Sequence, residues 1–356
     1  MKILISIGHP AHVHYFKNIA KTLQDKGNKV LFFVRNRECI IELVKNLNFE
    51  YVCYGKGGTS MLSKLIQIPI IDFKLLKVAL KFKPDIFLSS TSPYAALVSK
   101  ILKKPHIALD DTDHAKLVHM LYRPFTDIIL SPYTYNVKLH NRQFLYNSFT
   151  ELLYLHKEYF KPDKNVLKLL GVNENDKFCI LRFISWNASH DVGINGLSRE
   201  NKIYLVNILS EKSKVFISSE GELPAELEKY RLTIPSYKLH DAISYSSLCV
   251  SEGSTTASEA ALLGVPTIYI NPLRVSYCDE EAKHQLLYQT TEFNNVINKI
   301  DEIFEIPNVK ETFQSRKDKL AAQMINGTDF IIWLIENYPE SKKTITNNKN
   351  YQLKFK

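Results

Sequence analysis

The chain has 356 residues, 45% hydrophobic and 23% charged, more than one ordinary core holds and enough for two globular domains. Its net charge of +9 invites a nucleic-acid partner, but no RNP, zinc-finger or basic-region pattern is present, so that class is excluded. No uninterrupted apolar run approaches the length of a membrane span, and the five scattered cysteines lack CxxC or Cys/His spacing, which excludes a zinc site or disulfide frame and points to a reducing, cytoplasmic compartment.

Taken in order, apolar β-rich runs occur at 2–7, 29–34, 51–54, 85–90, 106–111 and 127–132. Helical stretches separate them. In HVHYFKNIAKTLQDKG, Val13, Phe16, Ile19, Ala20 and Leu23 form one apolar stripe. Short continuous apolar strands alternating with helices predict parallel strands covered on both faces. Residues 64–83, KLIQIPIIDFKLLKVALKFK, alternate lysines with large apolar residues. Two readings stand there: a half-buried helix with a solvated lysine edge, or a surface resting peripherally on an anionic inner membrane face.

An irregular aromatic segment spans roughly 133–165, and the pattern restarts with strands expected at 178–183, 215–220, 232–235, 248–252 and 266–271. Gly264-Val265-Pro266 closes one helix and opens the next strand, and from about 279 to 338 the chain reads as mainly helical. The expected organisation is α/β: a doubly wound Rossmann-like domain over 1–160, a second over 161–338, and a basic flexible tail over 339–356. Ligands of such folds sit outside the carboxyl ends of the strands, here in a cleft between two facing halves.

The segment SEGSTTASEAALLGVPTIYINP, 251–272, carries the most chemistry. It leaves a strand and begins a helix, so the first backbone N–H groups point outward without partners and favour an anion. Gly253 allows close approach, Ser254, Thr255 and Thr256 add hydroxyls, and Glu259 stands where a carboxylate would suit a ribose diol. Together they describe a site for a nucleoside diphosphate and its sugar. A capping box, with Thr255 or Thr256 as N-cap and Glu259 bonding back, explains the same spacing. Elsewhere, DDTDHAK (110–116) ends a strand, and Asp113 and His114 are candidates for acid–base chemistry or acceptor binding; helix capping by Asp111 or Asp113 competes. In LRFISWNASHDVG (181–193), Arg182 suits a phosphate or a structural ion pair, and Ser185, Asn187, Ser189 and His190 populate a loop expected to enter the cleft. Ser219 and Glu220 end the next strand and are expected to line the donor pocket.

The blocks GHPAHVHYFKN, DDTDHAKL, LRFISWNASHDVG, KVFISSEGELPAELEKY and SEGSTTASEAALLG, in this order, resemble an uncharacterised family catalogued as a domain of unknown function. That family is related to the GT-B-fold UDP-N-acetylglucosamine 2-epimerases and the peptidoglycan N-acetylglucosaminyltransferase. The resemblance implies a GT-B-like fold, with Glu259 on the ribose hydroxyls, Gly253, Ser254 and Thr255 at the diphosphate, and Tyr237–His240 against the base. It also places His12 on the histidine of the glycosyltransferase turn, where it would act as general base towards an acceptor hydroxyl; helix capping is the competing account of this turn. His9, His12, His14 and Asp111-x-Asp113 offer metal ligands, but sites of this type stabilise the leaving diphosphate with helix dipoles and cationic side chains, so no metal or separate cofactor is assigned. The implied function is nucleotide-sugar-dependent glycosyl transfer, UDP-linked in the relatives' manner, to a sugar or lipid-linked acceptor in surface polysaccharide or glycolipid synthesis. A sugar-nucleotide epimerase or hydrolase, and a non-catalytic nucleotide-sugar-binding protein, are the alternatives. Against epimerisation, the chain has Ser89-Ser90-Thr91-Ser92 and Ala115-Lys116 where the epimerases place acidic residues.

Overall fold

The computed structural model describes all residues except Glu38, 57–60, His114, His140, 185–195 and Glu220, and describes only the backbone of 61–66. Two compact units are present, one of Met1–Tyr159 with Met324–Lys356, the other of Phe160–Gln323. Among the described residues of the first unit the order is β1 (Lys2–Ile7), α1 (Pro10–Asp25), β2 (Lys29–Val34), α2 (Ile40–Asn46), β3 (Tyr51–Cys53), α3 (Met61–Phe82), β4 (Ile86–Ser90), α4 (Pro93–Ile101), β5 (His106–Leu109), α5 (Lys116–Tyr122), β6 (Ile128–Pro132), β7 (Gln143–Tyr146) and α6 (Leu152–Leu155). Seven parallel strands run β3-β2-β1-β4-β5-β6-β7. The order reverses direction between β1 and β4, which makes that junction the switch point where a crevice opens at the strand ends. Right-handed crossovers put α3, α4 and α5 on one face, where Leu4, Phe33 and Phe87 meet Ile71, Leu75 and Val98. The central strands β1, β2, β4, β5 and β6 are buried on both faces, which explains their unbroken apolar runs.

The second unit continues with α7 (Asn165–Leu170), β8 (Phe178–Phe183), α8 (Arg199–Lys212), β9 (Lys214–Ser219), α9 (Leu239–Tyr245), β10 (Leu248–Ser251), α10 (Ser254–Leu262), β11 (Thr267–Ile270), α11 (Ser276–Lys283), β12 (Leu287–Thr290), α12 (Phe293–Glu305) and α13 (Val309–Ala321). Its five described strands run β12-β11-β10-β8-β9, all parallel, with the switch point between β10 and β8. Leu181, Leu205, Leu209, Val250, Ile268 and Ile300 anchor a core between this sheet and helices α8 and α12. Helix α10 ends at Leu262, and Gly264 follows at φ +73°. A Cβ on Gly264 would lie 2.6 Å from Nε2 of Gln314, so that turn needs glycine for conformation and for space.

Three sequence expectations are corrected. Residues 232–235 do not form a strand: Arg231 makes a single bridge to Ile217, and Pro235, lacking an N–H, leads into a turn. Two strands lie where none was expected, β7 and β12, both only four residues long, at sheet edges and partly exposed. The second unit ends at Gln323 rather than 338, and residues 339–356 are not a flexible tail. Helices α14 (Gly327–Glu336) and α15 (Glu340–Asn347) and a final 3-10 turn pack on the first unit. Trp333 stacks on Tyr351 at 4.6 Å, Phe330 meets Phe355, and the buried Gln352 accepts from the N–H of Asn147 at 2.7 Å. Aromatic burial outweighs the basic, polar composition that suggested fraying.

Candidate functional site

In the second unit the turn from β10 to α10 lies at the switch point. The N-cap of α10 is Gly253, in extended conformation, and among the described residues no side-chain cap hydrogen bond is made there. The capping-box reading is corrected in its cap: Gly253, not Thr255 or Thr256, holds the N-cap position. Gly253 is packed closely, since a Cβ there would lie 3.1 Å from Cγ2 of Ile184 at the end of β8. Ser251 closes the turn, its Oγ accepting from the N–H of Gly253 at 3.0 Å and donating to the Gly253 carbonyl at 2.7 Å. Ser254 accepts from the Tyr277 hydroxyl at 2.8 Å, which leaves its own proton to point elsewhere. The result is a helix N-terminus with its dipole uncancelled by a side-chain cap.

Behind the turn, Glu259 is buried and its Oε1 lies 2.9 Å from Nε2 of His240 on α9. A buried carboxylate beside an imidazole is held in one orientation and keeps a partner while its second oxygen serves another. Glu252, also buried, accepts from the N–H groups of Ile184 at 3.1 Å and Leu197 at 2.7 Å, and Asn271 Nδ2 donates to its carbonyl at 2.8 Å. It ties the ends of the segment that follows β8 to the α10 turn, a role that spacing alone did not reveal. Arg182 donates from Nη1 to Ser218 Oγ at 2.9 Å, and Ser219 donates to the Gly221 carbonyl at 3.1 Å; both stand at the carboxyl ends of β8 and β9.

The first unit's switch point carries different chemistry. His9 caps α1, its Nδ1 accepting from the N–H of Ala11 at 3.3 Å, and Pro10 occupies the first helical position, where it has no N–H to offer. His12 accepts at Nδ1 from the N–H of Gly8 at 3.4 Å, and burial, with His9 and Arg37 nearby, pushes its pKa down to about 3. Burial favours the neutral imidazole of His12; with Nδ1 accepting from Gly8, Nε2 carries the proton and can donate. Its ring lies 5.8 Å from that of Tyr15, whose hydroxyl donates to Asp111 Oδ2 at 2.7 Å. Burial raises the Asp111 pKa against the opposing hydrogen bond from Tyr15, so this carboxyl is set to hold or take a proton. Asp110 is buried and structural, bound by the Tyr122 hydroxyl, the Thr112 N–H at 3.0 Å and His119 Nε2 at 3.2 Å. Asp113 sits in the following turn, partly exposed.

The structure thus brings Glu259 and His240 together beside the open turn of Gly253, Ser254, Thr255 and Thr256, and it brings His12 near Asp111 through Tyr15. Tyr237 is exposed, while His240, expected against a base, is turned into its carboxylate pair. His114, His190 and Glu220 lie outside the described residues, as does the loop of Ser185, Asn187 and Ser189. Sequence reasoning treated Asp111 as a cap or metal ligand and passed over Tyr15; their meeting is set by β5 and α1, which no local pattern records. Among the described residues no group of three or more His, Cys, Asp or Glu side chains is placed to hold a metal ion.

A family model described as "Protein of unknown function (DUF354)" matches residues 1–326. The uncharacterized protein MJ0665 of Methanocaldococcus jannaschii is 25% identical over 319 residues, covering 85% of this chain and 91% of that one. Among solved structures, the UDP-GlcNAc 2-epimerase of Neisseria meningitidis bound to UDP-GlcNAc aligns with TM-score 0.64 and 15% identity, over 88% of this chain and 94% of the other. The spinosyn forosaminyltransferase SpnP aligns with TM-score 0.64 and 12% identity, over 94% and 98%. At such identities the likeness is one of fold, and the fold is GT-B-like.

Proposed function

Because the chain belongs to the DUF354 family, whose description assigns no activity, we propose its function from the site: it binds a nucleotide sugar and transfers the glycosyl group to an acceptor hydroxyl. One observation carries this reading. The α10 N-terminus begins at a switch point with no side-chain cap among the described residues, and a buried, oriented carboxylate stands one turn behind it. The open N–H groups of Ser254 and Thr255 would take the diphosphate, with Gly253 giving close approach, the Thr256 hydroxyl and Arg182 supporting it, and Glu259 accepting from the ribose hydroxyls. His240 orients Glu259. Ser219 would line the same pocket. The UDP-GlcNAc in the Neisseria epimerase supports a uridine nucleotide as the first to test. On the first unit, Asp111 would take the acceptor proton, with Tyr15 and the neutral His12 as hydrogen-bonding neighbours and Asp113 reaching the acceptor. No metal enters the scheme. A lipid-linked or sugar acceptor, and a place in surface polysaccharide or glycolipid synthesis, fit this reading.

Epimerisation is the second reading, favoured by one feature: a carboxyl with raised pKa, Asp111, is what removal and return of a substrate proton would use. The test is calorimetry and thermal shift over nucleoside diphosphates and their sugars, followed by product analysis with and without acceptors. Transfer predicts turnover only with an acceptor. Epimerisation or hydrolysis proceeds without one, and a binding protein releases no product. If no nucleoside diphosphate or its sugar binds, the proposal fails.

A further inference from the structure

The helical layer α3–α4–α5 leaves a face with an unusual composition. On α3, Ile71, Leu75 and Ala79 point into the core, while Ile70, Phe73 and Leu80 are exposed, Phe73 by 56%. Lys74, Lys77 and Lys81 are exposed as well. At about 100° per residue these three apolar and three basic side chains share one arc of roughly 120°. Lys77 Nζ lies 4.4 Å from the centre of the Phe73 ring, so the ammonium rests over the apolar surface. At the far side of α4, Leu117, Met120 and Leu121 on α5 are exposed, Met120 by 70%, beside Lys116. Lys100 and Ile101 are exposed at the end of α4. Along the sequences of all three helices the single acidic residue is Asp72, which lies away from the exposed arc and has a buried Oδ1.

Singly exposed apolar residues are ordinary on a protein surface; a layer of three helices that exposes several of them among lysines and almost no acids is not. A polyanion such as a nucleic acid would satisfy the lysines and leave Phe73, Leu80 and Met120 in water. A second copy docking the same face would set lysine against lysine. A sheet of anionic headgroups over an acyl boundary satisfies both halves, since lysine stems lie along apolar surface while their charges reach phosphate. No described helix is long and apolar enough to cross a membrane, so the contact is peripheral. We propose that the α3–α4–α5 face docks reversibly on a membrane surface of anionic phospholipid. This surface stands independently of the reaction proposed above.

The test is flotation of the full chain with phosphatidylglycerol-containing vesicles and with pure phosphatidylcholine vesicles. Binding to the former at low salt, weak binding to the latter and loss at high salt are expected. Neutralising lysines should lower partitioning by about fivefold each, so Lys77→Gln with Lys81→Gln should lose about 25-fold. Phe73→Ser with Leu80→Ser should also release the protein from anionic vesicles, and Met120→Ser should weaken binding less. These side chains are exposed, and an unchanged unfolding midpoint for the lysine pair keeps the test valid should the apolar pair aggregate. The proposal is overturned by no binding to anionic vesicles at low salt. It is overturned equally by apolar variants that bind as the parent does, which would mark a polyanion site. Light scattering that shows a dimer abolished by Phe73→Ser would assign the face to self-association instead.

Discussion

The two switch points have the same topology and opposite chemistry. After β1, the first turn of α1 is closed by its own residues: His9 accepts from Ala11, and Pro10 removes a donor. Its surroundings are protic, with a neutral His12, Tyr15 and the carboxyl of Asp111. After β10, the first turn of α10 has no side-chain cap among the described residues, and Glu259 is held one turn back by His240. A doubly wound sheet supplies a crevice in both units, but whether an anion is welcome is decided by who occupies the helix N-terminus. On the proposed function, the crevice after β10 takes the diphosphate and the one after β1 the acceptor hydroxyl.

Removing the carboxylate should break the second crevice most. Glu259→Ala leaves the buried His240 ring without this hydrogen bond and should cost about 1–3 kcal/mol of stability. Glu259→Gln keeps the shape and a hydrogen bond, so calorimetry on it separates lost nucleotide affinity from lost fold. Asp111→Asn in the first unit retains an oxygen for Tyr15 and should cost only about 1 kcal/mol in denaturant unfolding while abolishing turnover. Gly264→Ala should lower stability by about 1–2 kcal/mol, because alanine is strained at φ +73° and Gln314 must move aside.

Titration should distinguish the units further. Burial lowers the His12 and His106 pKa values from 6.5 to about 3, so the unfolded chain takes up these protons first. Stability should fall as pH drops from about 6.5 towards 3, and His106→Gln should flatten part of that limb. Glu281, buried under α10 with its hydroxyl-bound partner Ser258, is pushed up to about 8 from 4.5. Its protonated form is favoured in the fold, so its contribution is full below about 4.5 and is lost as pH rises through about 8. Glu281→Gln should remove that alkaline limb in thermal melts. The smallest effects test the caps themselves. Ser92→Ala should cost about 1 kcal/mol, since Ser92 Oγ accepts from the N–H of Ala95 at 3.3 Å at the start of α4. Thr255→Ala should change stability by less than about 0.5 kcal/mol, since Thr255 caps nothing, yet it should reduce the melting shift produced by a nucleoside diphosphate.

Much of the architecture was legible because central parallel strands must be apolar on both faces: β1, β2 and β8 have the boundaries their sequences predict. The edge strands are partly exposed and only four residues long, which is why Gln143–Tyr146 and Leu287–Thr290 gave no clear period. The α10 turn was recognisable as a strand-to-helix junction, but spacing could not show that Gly253 is the N-cap or that Glu259 meets His240; both depend on the fold around them. Pairs such as Tyr15 with Asp111 join residues far apart in the chain and exist only once β1 and β5 share a sheet. The return of the C-terminal aromatics to the first unit was invisible for the same reason.

That return has a consequence for how the protein is made. Residues 160–323 are contiguous and complete their own sheet as soon as they emerge, whereas the first unit lacks Phe330, Trp333 and Phe355 until synthesis reaches them. The later-begun unit is therefore the first whose residues are all made, while the N-terminal unit gains its last packing partners only when the final helices emerge.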